Sequence, residues 1–307
     1  MNAPPPPETP RRVAAVIPTL GRSPYLEASL RALRAQGEPV EPVEIVVVDQ
    51  GAQQVDLPEG LADQILRPGK NLGFAAGTNL GIAATSAAFI ATVNDDAIVE
   101  PGWLAALLEA LEGDANLAAA QGANLRLADP EILDGLGIEW NRRWQAVQIG
   151  AGERAPGPRE PARKIWGVSA TAALYRRSAL EAARLGPEEF FDSDLGSYYE
   201  DVELAARLAA KGFGALSLPA ARARHAGSTT GGAERWRLVY GNRHLALARM
   251  LGRGYWWRLP ALVGRDLIDL VRAMFERDNG RMVGIPWGWG RAARRMVRFT
   301  RGSPVPG

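Results

Sequence analysis

Four short apolar runs, each closed by polar residues, and the helical segments between them set the tightest limit on how this chain can fold. Residues 13–18 (VAAVIP) and 43–48 (VEIVVV) read as buried strands. Between them Tyr25, Leu26, Ser29, Leu30 and Leu33 recur at helical spacing and Gly37 is a stop signal, which makes a βαβ unit. A third strand is expected around 63–67, a tightly packed helix over NLGFAAGTNLGIAATS, a fourth strand in AFIATV, and a helix over 102–112. Such alternation predicts an α/β fold with a mostly parallel sheet flanked by helices.

In such sheets ligands lie beyond the carboxyl ends of the strands. Here those ends carry polar residues: PTLGR after the first strand, DQG after the second and NDD after the fourth. Thr19, Arg22, Asp49, Asn94, Asp95 and Asp96 are therefore expected on one rim. Residues 122–163 read as short strands and loops covering it, and 164–175 as a strand pair or strand-turn, with a helix from Ser178. SYYEDVELAARLAAKG reads as a helix capped by Ser197 and ended by Gly212. From 232 onward helices are expected at 234–251 and 256–277, with a short piece after Pro286.

Four groups on this scaffold can carry chemistry. Hard divalent cations favour a few carboxylates plus substrate phosphate, which Asp95 and Asp96 beside Asn94 could supply; a plain polar turn is the competing reading. Ser197 and Glu200 have capping-box spacing, which occupies Glu200 and leaves Asp201 half-shielded at the edge of the buried helix face, a position suited to a general base. The helix dipole alone would also favour an acid there. His225, one of two histidines, follows the strand-like GALSLPA and offers an imidazole to a metal shell that carboxylates begin, with the amides of Gly227 and Ser228 next to phosphate. RPGKNLGFAAGT, from Arg67, places basic residues and glycines near a helix start, an anion-binding arrangement. His244, inside a helical pattern, reads as structural.

Composition narrows the chemistry. With no cysteine in 307 residues, disulfides, thiolate metal sites and a cysteine nucleophile are excluded. MNAPPPPETP lacks the parts of a signal peptide and reads as an extended disordered lead over residues 1–11. No apolar stretch reaches the ~20 residues needed to span a bilayer. From Arg222 onward 17 arginines face 5 acidic residues, although the whole chain carries only +2. Trp236, Trp256, Trp257, Trp287 and Trp289 are interleaved with those arginines, so the tail is expected to form amphipathic helices on an anionic membrane surface, with a dimerisation element as the alternative.

IPTLGR, VVVDQG, NLGFAAGTNLGI, NDDA, WGVSATAALYRR, FFDSDLGSYYEDVELAARLAAKGF and HAGST, in this order across roughly residues 12–250, resemble the family 2 glycosyltransferases of the GT-A fold. The likeness is strongest to the bacterial rhamnosyltransferase-like branch that builds cell-surface polysaccharides. Two positions depart from the pattern: Asn94 stands where many relatives have aspartate, and Gln50 where that turn often has asparagine.

The resemblance implies a nucleotide-sugar-binding catalytic domain over 12–231 and a basic, Trp-rich helical tail over 232–307. It implies that Pro18, Thr19, Arg22, Asp49, Asn71, Gly73, Asn94 and Asp95 lie against the nucleotide of a UDP- or dTDP-sugar donor. Asp96 and His225 would hold Mg2+ or Mn2+, and Asp201 would be the base. Trp166, Gly167 and Glu200 would line the site of a saccharide or lipid-linked acceptor. The implied reaction is a single inverting displacement moving a hexosyl or rhamnosyl group. The expected location is cytoplasmic, peripheral on the inner face of the cell membrane, with a homodimer as a further expectation and no nucleic acid as partner. The rival reading is a nucleotide-binding scaffold that has lost catalysis; a sugar nucleotidyltransferase would need a first turn richer in glycine than TLGRS.

Overall fold

The computed structural model describes residues 12–37, 42–227 and 232–301, so the expected lead over 1–11 and the amide of Ser228 lie outside the described residues. The first half of the chain runs β1 (Val13–Thr19), α1 (Leu26–Arg34), β2 (Glu44–Asp49), β3 (Gln64–Leu66), α2 (Phe74–Ala83), β4 (Phe89–Val93), β5 (Ala97–Val99) and α3 (Trp103–Gly113). Next come β6 (Leu117–Arg126), β7 (Leu133–Gly135), β8 (Ile138–Trp140), β9 (Ala146–Gln148), β10 (Arg163–Ile165), β11 (Ala172–Arg176), α4 (Arg177–Ala183), α5 (Glu200–Ala210) and β12 (Gly214–His225). Three helices close it: α6 (Gly232–Leu251), α7 (Gly254–Phe275) and α8 (Asn279–Arg301).

One sheet, in the order β10-β12-β6-β11-β4-β1-β2-β3, organises the molecule. Strands β3, β2, β1 and β4 are mutually parallel, β11 enters antiparallel between β4 and β6, and β12 runs parallel to β6. Alternate side chains face opposite layers, as the period of two requires. Ala15, Ile17, Ile45, Val47 and Val93 pack on Leu30 and Leu33 of α1 and on Trp103 and Leu107 of α3. Ala14, Val16, Val48 and Ile90 meet Ile82 of α2, Leu180 of α4 and Leu204 and Leu208 of α5 on the other side. At ~1.5–3 kcal/mol for each fully buried aliphatic side chain, these two layers supply the main drive to fold.

Three sequence expectations are corrected. Strand β6, LAAAQGANLR, holds the centre of the sheet where only loops and short strands were expected from residue 122. Alanine, glycine and asparagine are weak strand formers, and burial between β11 and β12 overrides that preference. Helix α5 starts at Glu200, not at Ser197: Tyr198 and Tyr199 take φ of 70° and 72°, and the Ser197 hydroxyl accepts a hydrogen bond from Phe74 N at 3.2 Å. The capping box is therefore not formed, and Glu200 is buried instead of reaching back. Finally, Pro286 lies inside α8 and does not open a short helix. Gly280, Gly284 and Gly288 seat α8 on α6 so closely that a Cβ on Gly288 would lie 2.8 Å from Gly241 N, and this packing outweighs the ~3 kcal/mol that an internal proline costs.

Candidate functional site

The carboxyl ends of β1 and β4 are stitched together by side chains. Thr19 Oγ1 donates to Asp95 Oδ2 at 2.5 Å and accepts from Gly21 N at 2.9 Å, while Ser23 Oγ donates to Asp95 O at 2.9 Å. Burial raises the Asp95 pKa, the Thr19 hydrogen bond opposes this, and the neighbouring Asp96 charge raises it further. Asp49 stands level with Thr19 in the β1–β2 ladder, but its carboxylate faces its own loop. Its oxygens accept Gly51 N at 3.1 Å and Val55 N at 3.0 Å, with Arg67 Nε at 3.4 Å. Pro18 is buried in β1 opposite Val48, Arg22 is exposed in the following loop, and Asn94 is half-buried. Asn71 is exposed and turns its Oδ1 to Gly73 N at 2.9 Å.

The anion-binding arrangement expected between Arg67 and Thr78 is not free. Gly196 O accepts Ala75 N at 2.7 Å and Ser197 Oγ takes Phe74 N, so the first amides of α2 are occupied by protein. Gly73, at φ 84°, permits this because a Cβ there would lie 3.0 Å from Gly196 Cα. One helical turn on, Asn79 donates to Phe191 O at 2.7 Å and accepts Phe190 N and Phe191 N at 3.1 and 2.8 Å. The segment thus braces residues 190–197, and through them the start of α5.

His225 ends β12, which pairs with β5 so that His225 stands opposite Ala97. That register brings its imidazole to Asp96: Nε2 lies 3.2 Å from Asp96 Oδ1, and Nδ1 lies 2.8 Å from Asp134 Oδ2 in β7. Burial alone would lower the His225 pKa, but the hydrogen bonds and charges of Asp134 and Asp96 more than offset it and raise it to about 9. No three His, Asp or Glu side chains among the described residues converge on one metal-sized point. The donor set nevertheless fits a hard divalent ion that takes its remaining ligands from phosphate and water: one carboxylate, and one imidazole whose far nitrogen is fixed by a second carboxylate.

Asp201 lies in the first turn of α5, half-buried, and reaches the 166–171 segment. Its Oδ1 accepts Val202 N at 2.8 Å and its Oδ2 accepts Ala170 N at 3.3 Å. Burial raises the Asp201 pKa to about 6 against the opposing hydrogen bonds of Val202, Ala170 and Ser169. Glu200 beside it is pushed well above the usual carboxylate range, first by burial and then by the Asp201 charge. Its Oε2 has no hydrogen-bond partner among the described residues. The link to the metal-type donors is short: Thr171 O accepts Asn94 N at 2.8 Å, and Thr171 Oγ1 lies 3.1 Å from Ser169 Oγ. Gly167 O accepts Ile138 N at 2.8 Å, and Gly167 faces α5 so closely that a Cβ on it would lie 2.6 Å from Ala205 Cβ. Trp166 is half-buried, edge-on to Trp140 with ring centroids 5.6 Å apart.

The structure therefore links Thr19 at the end of β1, Asn94, Asp95 and Asp96 of the NDD turn, His225 at the end of β12 and Asp201 in the first turn of α5 through short polar contacts, and turns Asp49 and Asn71 to loop building. Sequence reasoning missed Asp134, Ser169 and Thr171. Asp134 sits in a three-residue strand of an irregular stretch where no spacing signals a ligand partner. Ser169 and Thr171 lay within WGVSATAALYRR, where polar alternation was the available signal.

Residues 14–184, more than half of the chain, match the sequence profile of the family described as Glycosyl transferase family 2; Asp201 and His225 lie beyond the matched residues. A search of curated proteins gives no match. Among solved structures, the mannosyltransferase PcManGT from Pyrobaculum calidifontis in complex with GDP-Man and Mn2+ is similar at a TM-score of 0.55 and 18% identity, over 98% of this chain and 78% of that one. GalNAc-T7 with UDP, GalNAc and Mn2+ is similar at 0.55 and 14%, over 70% of this chain and 43% of that one. The S. aureus protein TarS is similar at 0.50 and 15%, over 77% of this chain and 40% of that one. The shared feature is the fold, that of the GT-A glycosyltransferases.

Proposed function

We propose, from the premise that this chain belongs to glycosyl transferase family 2, that it moves a sugar from a nucleoside-diphosphate sugar to a saccharide or lipid-linked acceptor in one inverting displacement. The donor is a UDP- or dTDP-hexose or rhamnose used in cell-surface polysaccharide synthesis. The observation that carries this reading is the half-buried Asp201 carboxylate, with a pKa near 6, linked through Ser169, Thr171 and Asn94 to the Asp96–His225 pair. Nucleotide sugar and Mn2+ in the structurally similar mannosyltransferase support the donor class.

Asp96 and His225 are the residues that would hold Mg2+ or Mn2+, and the ion's chemistry there is neutralisation of the departing diphosphate. Asp134 holds the His225 ring by its Nδ1. Thr19 and Ser23 keep Asp95 and the NDD turn in place against the nucleotide. Asp201 takes the proton from the acceptor hydroxyl, and its pKa near 6 leaves it ionised yet basic at neutral pH. Trp166 offers an apolar ring to the acceptor, and burial, which pushes the Glu200 carboxyl well above the usual range, disfavours a second negative charge beside the base.

Asp201→Asn tests this: turnover is expected to fall by at least ~100-fold, with donor binding by calorimetry unchanged. Near-normal turnover removes Asp201 from the role. A catalytically inactive scaffold, the alternative, binds nucleotide sugar without hydrolysing or transferring it in any metal.

We also propose that the tail rests on an anionic membrane surface. Trp257 is 88% exposed and Phe275 86% exposed, and both share the outer side of α7 with Ile268 and Val271. No helix among the described residues is long and apolar enough to cross a membrane.

A further inference from the structure

A cavity of about 300 Å³ lies between α6, α7 and α8, lined chiefly by Trp256, Leu259, Val263, Ala293 and Met296 above His244. Its volume is at the lower end of ligand sites, which run to ~300–1,000 Å³. The polar atoms that line its floor, on His244, Tyr255 and Trp289, are already bonded to one another and to Asp266. His244 Nδ1 lies 2.8 Å from Tyr255 OH and its Nε2 2.8 Å from Asp266 Oδ2, which also accepts Trp289 Nε1 at 2.8 Å and pairs through Oδ1 with Arg243. Arg243 lies outside the lining, so a polar ligand would have to compete with the bonds that His244, Tyr255 and Trp289 already make.

Two further observations say what fits. Trp256, which lines the cavity, is 55% exposed and sits beside the outward-facing Trp257, so the mouth opens on the apolar surface of α7. Arg253, Arg258 and Arg294 flank the lining residues in sequence, are exposed, and make no ion pair among the described residues. Inward, Trp140 packs on the buried cluster of Leu247, Tyr255 and Leu262, of which Tyr255 lines the cavity, and its ring meets Trp166 and Tyr199 beside α5. The cavity is one aromatic layer from the acceptor side of the site.

We infer that this cavity takes the hydrocarbon chain of a lipid phosphate, the chain seated between α7 and α8 and the phosphate at the arginine-bearing rim. This deepens the lipid-linked acceptor of the proposed function and rests on that reading. The chain would hold the acceptor at the membrane surface while its sugar reaches past Trp166 towards Asp201.

The test is a titration of the full chain with submicellar dodecyl phosphate brominated near the chain end, followed by tryptophan emission. Saturable quenching is expected from Trp256 and Trp289, and excess inorganic phosphate should not abolish it. Ala293→Phe, at an exposed cavity-edge position, and Val263→Phe are each expected to weaken binding by at least ~10-fold with the melting temperature held. The inference is overturned by absence of saturable quenching, by unchanged affinity in both filled variants, or by equal binding of brominated dodecyl maltoside. Transfer to a soluble saccharide needs no chain, so lost chain binding with intact transfer refutes the cavity alone. Absence of any sugar transfer or donor hydrolysis refutes the proposed function instead.

Discussion

Gly167→Ala probes how tightly Asp201, the proposed base, is held. The Gly167 backbone lies outside the left-handed region, so the added methyl is resisted by space and not by φ. Its Cβ would lie 2.6 Å from Ala205 Cβ, whereas carbon atoms in contact sit ~3.5–4.0 Å apart, so α5 must retreat by about 1 Å. Asp201 is one turn before Ala205 on the same face and moves with it. Overpacking of this kind costs ~1–3 kcal/mol, which lowers the melting temperature by several degrees at ~2–4 °C per kcal/mol. A misplacement near 1 Å costs turnover ~100-fold. The assay is steady-state transfer from a nucleotide sugar, with donor affinity measured separately by calorimetry. Turnover should fall by that order while donor affinity holds, because the Asp96–His225 pair is built on β12 and the NDD turn, away from α5. Ala205→Gly in the same chain removes the opposing methyl and should recover most of the turnover, although the new helical glycine costs ~1 kcal/mol of stability. Unchanged turnover in Gly167→Ala, or no recovery in the double variant, refutes the claim that this contact sets the position of Asp201.

Three other outcomes are expected. As pH rises through about 6, kcat/KM should rise as Asp201 ionises, and a flat profile between about pH 5 and 8 would exclude it as the base. Stability runs the other way: a carboxyl whose folded pKa exceeds its unfolded value contributes stability at low pH that is lost as pH rises through the folded pKa. Asp201→Asn should therefore raise the melting temperature near pH 8 but not near pH 4. Asp134→Asn removes the charged acceptor from His225 Nδ1 and should weaken Mn2+ binding in the presence of UDP by ~10–100-fold in calorimetry; unchanged affinity would leave Asp134 without a part in the site. Trp257→Glu combined with Phe275→Glu should abolish co-flotation with anionic vesicles, since each buried aromatic contributes ~1.5–3 kcal/mol; intact flotation argues against the membrane reading, and a halved mass in light scattering favours the dimer.

Local signals in the sequence suffice for the first half of the fold and for the chemistry available to the site. Apolar period and strand-end polarity are local properties, so β1, β2, β4 and the rim of Thr19 and the NDD turn could be read directly. The absence of cysteine fixed oxygen and imidazole as the only plausible metal donors. Packing between distant segments supplies what local signals cannot carry. Ala-rich β6 is a strand because β11 and β12 bury it on both sides, α8 runs through Pro286 because three glycines lock it to α6, and Ser197 serves α2 instead of capping α5. Asp134 and Asp96 meet His225 only because β12 pairs with β5 while β7 lies on neighbouring β6. Contacts between residues 91 and 129 positions apart depend on the register of whole strands, a property of the packed sheet that no single segment encodes.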